Sequence, residues 1–215
     1  MDIENIRQFV LYSSEKSITK KQMIECIFAF VFLSFIGAIY GFIAGGIKAI
    51  LSLFIVIATI VHATIIMILS NKKQMDFKTK FLFNGIISVF GAVIFFLLTL
   101  LFIQFLNTTV LFLVFIVGIY ITIILVYFYI TIQSVKNGVY GSKNEVQKKN
   151  AKIYSILGGT LGIYVARLFF HGVEQQIVLN IAIVCFFFLS IVFSFGTINF
   201  LKYHYTKKFE LTEKS

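Results

Sequence analysis

Residues 81–135 read FLFNGIISVFGAVIFFLLTLLFIQFLNTTVLFLVFIVGIYITIILVYFYITIQSV, 55 consecutive uncharged positions between Lys80 and Lys136. As a single helix at about 1.5 Å per residue, the run would be roughly 80 Å long, against a bilayer core about 30 Å thick. It has to turn back on itself. The polar cluster near its middle is Asn107, Thr108 and Thr109, whose side chains satisfy turn backbone groups locally, so a helical hairpin turning there is predicted.

Working outward toward the N-terminus, 22 uncharged residues separate Glu25 from Lys48 and 23 separate Lys48 from Lys72. Each run matches one transmembrane helix. Toward the C-terminus, Arg167, His171 and Glu174 interrupt the apolar sequence, leaving a short span at 154–171, a turn at Gly172 through Gln176 and a long span at 177–201. The expected fold is all-α: a polytopic transmembrane helix bundle of six spans, about 24–44, 49–70, 81–106, 110–133, 154–171 and 177–201, paired as three hairpins. Residues 1–23 form an N-terminal segment, 24–201 the membrane domain and 202–215 a basic tail.

Charge gives an independent test of that count, because cytoplasmic loops of membrane proteins are rich in Lys and Arg. There are four such residues before the first span, four in 71–80, five in 134–153 and four in the tail, while only Lys48 and Arg167 fall on the other side. The split of 17 to 2 predicts both termini in the cytoplasm of a bacterial plasma membrane. The same placement explains the net charge of +10 without nucleic acid, since the lysines sit in short blocks between apolar runs. With 59% hydrophobic and 13% charged residues, the chain is not an ordinary water-soluble domain. The absence of Pro and Trp beside 27 Phe points to an AT-rich genome and a low-GC bacterium.

The first apolar run exceeds a signal-peptide core, follows an acidic N-terminus and lacks an A-x-A-like cleavage site, so it is read as a retained span. Ahead of it, Ile3, Ile6, Phe9 and Val10 recur at helical spacing among Asp2, Glu4, Asn5, Arg7 and Gln8. Such a segment is expected to lie flat on the inner leaflet as an interfacial helix.

Small residues mark packing faces. Gly37, Gly41 and Gly45 recur every four residues in the first span, and Gly158, Gly162 and Ala166 in the fifth, a spacing that lets helices approach closely. Two uses follow, packing inside the bundle or a surface for self-association or a partner's helix. Lack of Pro argues against the broken helices from which many transporters build their sites.

Ionisable groups within spans are costly and therefore informative. Arg167, His171 and Glu174, spaced i, i+4, i+7, would share one face at the outer boundary, where they either anchor a short helix through a local ion pair or form a cluster for a ligand or partner. His62 lies deep in the second span as an intramembrane polar residue, either a titrating group or a hydrogen-bonded core residue. His204, within Lys-Tyr-His-Tyr-Thr-Lys-Lys, belongs to a basic patch facing anionic lipid.

Catalytic signatures are missing: there is no HExxH pair, GxSxG elbow or Walker lysine loop, and Asp occurs only at Asp2 and Asp76. No enzyme, metal or cofactor is expected. Cys26 and Cys185 lie at different expected depths, so no disulfide is expected. Three classes remain. The first is an accessory or immunity-type protein protecting against a membrane-active toxin or bacteriocin. The second is a permease subunit, since six spans, a flat N-terminal helix and basic loops resemble the organisation of small export-type ABC permeases; that resemblance implies an ATPase docking at 71–80, although the loop before the sixth span is shorter than it implies. The third is a channel or holin-like pore, which would call for more polar lining than Thr, Ser and Tyr supply. Expected partners are the lipid bilayer and a protein, whether toxin, ATPase or a second copy.

Overall fold

Long runs of apolar side chains leave the backbone no polar partner but itself, and helix formation supplies one. The computed structural model describes residues 2–11, 20–70, 77–106, 108–141 and 175–211, and among these the chain is helical with no strand. In order come α1 (Ile3–Leu11), α2 (Lys20–Ala44), α3 (Gly46–Ser70), α4 (Phe77–Phe105), α5 (Val110–Lys136), a single 3-10 turn (Val139–Gly141), α6 (Gln175–Phe195) and α7 (Ile198–Lys208). Four helical stretches are long and apolar enough to cross a membrane: Gly46–Leu69, Lys78–Phe105, Leu111–Lys136 and Gln176–Lys208. In α2 the described apolar stretch, Phe30–Ala44, is shorter. The expected fifth span, 154–171, lies outside the described residues.

The outside of the bundle is as apolar as its inside. Phe28, Ile43 and Leu111 are 75–80% exposed, and Phe35, Leu125 and Val184 are also turned outward. Water-soluble monomers rarely present apolar surface on this scale, so this exterior is compatible with membrane embedding.

Side-chain contacts fix the directions of the helices. Phe30 meets His62, and Gly41 packs on Ser52, so α2 and α3 are antiparallel. The chain turns between them at Gly45 (φ +69°) and at Gly46 (φ +59°), the first residue of α3, both in the left-handed region that glycine adopts without a Cβ clash. α4 runs antiparallel to α3, with His62 on Phe90 and Lys48 Nζ 4.7 Å above the Phe105 ring. It runs antiparallel to α6 and α7 too: Phe102 meets Phe186, Gly91 receives Phe193 and Gly85 receives Phe200. α4 is therefore the central helix. Phe30, Ile55, Ile94, Phe95, Leu98 and Leu101 form the main buried core around it.

The turn near residues 106–109 occurs where the sequence predicts one, with Thr109 at the N-cap of α5; Asn107 is outside the described residues. The two helices it joins meet at a Phe96–Tyr120 stack, 4.1 Å between centroids, but do not pack along their length as a hairpin would. Instead α5 runs alongside α6 and parallel to it, Tyr120 reaching Ser194 and Tyr127 reaching Phe195.

At two places the described helices differ from the expected course. The N-terminal segment is helical, but the stripe expected to face lipid faces protein: Ile6, Phe9 and Val10 are buried against Phe81, Val135, Tyr140 and Tyr205, while Ile3 stays exposed. The long last span does not run unbroken over 177–201. It begins at Gln175, inside the expected turn, breaks at Gly196 and Thr197, and continues as α7 to Lys208, well into the segment expected to be a tail. Local bonds explain the break. Thr197 Oγ1 donates to the Ser194 carbonyl (2.6 Å), Asn199 Nδ2 to that of Gly196 (2.8 Å) and Tyr127 Oη to that of Phe195 (3.0 Å), so carbonyls released by the break are satisfied.

Candidate functional site

Among the described residues, two places gather polar side chains on neighbouring helices. The first is the seam between α2, α3 and α4. On α3 the buried residues Ser52, Ile55, Thr59, His62, Ile66 and Leu69 alternate steps of three and four, a heptad stripe in which half the positions are polar. On α2 the facing stripe is Phe30, Ser34, Gly37 and Gly41. His62 stacks on Phe90 (5.1 Å, 6° between planes) and meets the edge of Phe30 (5.1 Å, 70°). Thr59 returns its hydroxyl to the Ile55 carbonyl at 2.8 Å. Ser34 Oγ, Ser52 Oγ and His62 Nε2 are buried and, among the described residues, have no hydrogen-bond partner. Each such atom costs about 1–3 kcal/mol unless something satisfies it.

Gly37 and Gly41 belong to this seam. A Cβ at Gly37 would collide with Leu98, and one at Gly41 with Ser52 and, at 2.9 Å, with the Lys48 carbonyl. Gly45 shares their spacing but has nothing near its Cβ position and serves the turn instead. Arg167, His171, Glu174, Gly158, Gly162 and Ala166 all lie outside the described residues.

The second place is a lateral groove of about 610 Å³ beside the break between α6 and α7. α4 contributes Val89, Ala92 and Val93; α5 contributes Tyr120, Ile124 and Phe128; Ser194, Thr197, Phe200, Leu201 and His204 complete the wall. At its deep end Ser194 Oγ donates to the Ser190 carbonyl (2.8 Å), leaving the Tyr120 hydroxyl to donate to Ser194 Oγ (2.6 Å). No hydroxyl proton in this relay is left over for a solute. No family model, curated protein or solved structure matches the chain. Function therefore has to be argued from these two places and from the arrangement of charge.

Sequence reasoning missed the groove and the break. The signal was present in Ser190, Ser194, Gly196, Thr197 and Asn199, five small or polar residues within ten positions of an otherwise apolar span. Hydropathy averaged over a window conceals them. His204, expected only in a basic patch, stands at the mouth of the groove. Among the described residues no group of His, Cys, Asp or Glu is arranged to hold a metal.

Proposed function

We propose that this chain is a non-catalytic, multi-pass protein of the bacterial plasma membrane, of the accessory or immunity type, protecting against a membrane-active toxin or bacteriocin. The observation that carries the reading is the filling of the bundle interior. Phe30, Phe95, Phe102, Phe186 and Phe193 interlock with centroid separations of 5.3–6.1 Å between α2, α4 and α6. Channels and carriers need polar groups along a path for their solute. Among the described residues the buried hydroxyls of Thr59, Ser88, Thr99, Ser190 and Ser194 bond back to carbonyls of their own helices, and the unmatched buried polar atoms are those of the seam. A protein that acts by being present in the membrane and being recognised there needs no such path.

The six-span topology with both termini inside is part of the proposal. Arg7, Lys78, Lys80, Lys136, Lys202, Lys207 and Lys208 belong to helix ends gathered around α1, whereas Lys48 sits at the opposite end over Phe105. The parallel course of α5 and α6 also supports a further crossing between them.

Expression of this chain alone in a sensitive bacterium, challenged with a panel of membrane-active bacteriocins, tests the role. At least one inhibitory concentration should rise by about tenfold or more. Absence of protection, together with copurification of an ATPase in stoichiometric yield from the native membrane, would replace this reading with the permease one.

A further inference from the structure

We propose that the lateral groove binds an anionic phospholipid, one acyl chain lying between α4, α5 and α7 with its phosphate at the level of His204, Lys207 and Lys208. The inference rests on the membrane embedding proposed above, and not on the immunity role. The first support is dimension. On α5, an unbroken helix, the wall advances eight residues from Tyr120 to Phe128, roughly 12 Å, against about 15 Å for half of a hydrocarbon core. The groove thus runs most of the depth of one leaflet.

The second support is chemistry. Along the walls Val89, Val93, Ile124, Phe128, Phe200 and Leu201 offer only hydrocarbon. The hydroxyls at the deep end donate to one another and to backbone, so this end offers a solute no free hydroxyl proton and suits the terminus of a chain. A lateral recess of this size, bordered by apolar helix surface, is filled in a bilayer by the nearest hydrocarbon.

The third support is charge. Lys207 and Lys208 follow His204 by three and four positions, so they extend the face of the groove beyond its mouth, and both are exposed. Lys202, by contrast, is buried beneath α1, with its Nζ 5.2 Å from the Phe9 ring centroid and 5.7 Å from that of Phe81. Glu210 is the acidic residue nearest in sequence, beyond the end of the helix. Cations at headgroup level favour an anionic lipid over a zwitterionic one.

The full chain is purified in mild detergent, exposed to equal amounts of phosphatidylglycerol and phosphatidylcholine, and its retained lipid counted by native mass spectrometry. One phosphatidylglycerol per chain is expected, preferred by roughly tenfold. Val93→Trp, which fills the groove, should reduce retention by about tenfold, whereas Leu125→Trp on the outward face of α5 should leave it unchanged. The double substitution Lys207→Glu, Lys208→Glu should keep a lipid but abolish the preference. Wild-type protein that retains none, or equal retention in the two Trp variants, overturns the proposal. Should Val93→Trp fail to fold, photoreactive phosphatidylglycerol applied to the wild type gives the same decision. Adducts within 89–93 and 194–204 are expected, and adducts only elsewhere overturn it. A disulfide from Val93→Cys to a cysteine placed within 154–171, or to a second copy, would identify protein in the groove and also overturn it. The binding is read in detergent, so its outcome is independent of bacteriocin protection and of which leaflet the groove faces.

Discussion

Glycine at position 41 and glycine at position 118 look alike in the sequence but sit in opposite surroundings. A side chain at Gly41 meets Ser52, the Lys48 carbonyl and Leu101, while one at Gly118 meets nothing within 4 Å. Gly41→Leu should therefore cost about 1–3 kcal/mol or more through overpacking and reduce the monodisperse fraction recovered in detergent. Gly118→Leu should be recovered like the wild type. His62 allows a sharper test. Its Nε2 has no partner among the described residues, and its ring is held by Phe30 and Phe90. His62→Phe should keep the stacking, remove the unmatched polar atom and change thermal stability by no more than about 1 kcal/mol. His62→Ala should cost about 2–5 kcal/mol by opening a cavity. If His62→Phe folds normally yet loses biological activity, the imidazole has a chemical role beyond packing. The four-residue spacing made the glycine face legible in the sequence, but Gly45 keeps that spacing while performing a different task. Spacing reports a face; it does not report whether a neighbour occupies it.

At the scale of the element, α1 shows how a correct periodicity leads to an incomplete expectation. Ile6, Phe9 and Val10 do form one apolar face, as the spacing indicates. An isolated sequence cannot tell whether lipid or protein covers such a face, because both are apolar. The structure places Phe9 against Tyr140 (5.0 Å between centroids) and Tyr205 (6.3 Å), and Asn5 Nδ2 donates to the Lys136 carbonyl at 3.1 Å. α1 thereby ties together the ends of α4, α5 and α7. Phe9→Ala should cost about 3–5 kcal/mol locally. Amide exchange should rise in 135–141 and 198–208 while α3 stays as protected as before. Equal exchange in both regions would mean that α1 merely rests on the bundle. The break at Gly196 and Thr197 was hidden for another reason: no proline marks it, and its stability comes from side-chain bonds, including one from Tyr127 on another helix.

Over the whole molecule, the helical class and the presence of long apolar helices followed from apolar length because that is a local property. The neighbour relations did not. Three sequential hairpins were expected, whereas α4 packs on α6 and α7 more extensively than on α5. Residues such as Gly85, Gly91 and Phe193 decide that choice by shape, and their complementarity is invisible until the helices are side by side. For topology, single cysteines at Lys48 and Lys208, in a chain with Cys26 and Cys185 replaced, should react with an impermeant thiol reagent from opposite sides of the membrane. In whole cells Lys48→Cys should label and Lys208→Cys should remain unlabelled until the cells are opened. Labelling of both in intact cells would overturn the proposed orientation. The pairing of α4 with α6 also imposes an order on synthesis. Gly91 leaves the ribosome roughly 100 residues before Phe193, a delay of about 5–20 s at ordinary rates of elongation. During that interval the glycine face of α4 lacks its final neighbour, so the newborn bundle passes through a stage in which this helix is open to chaperones, proteases and other chains.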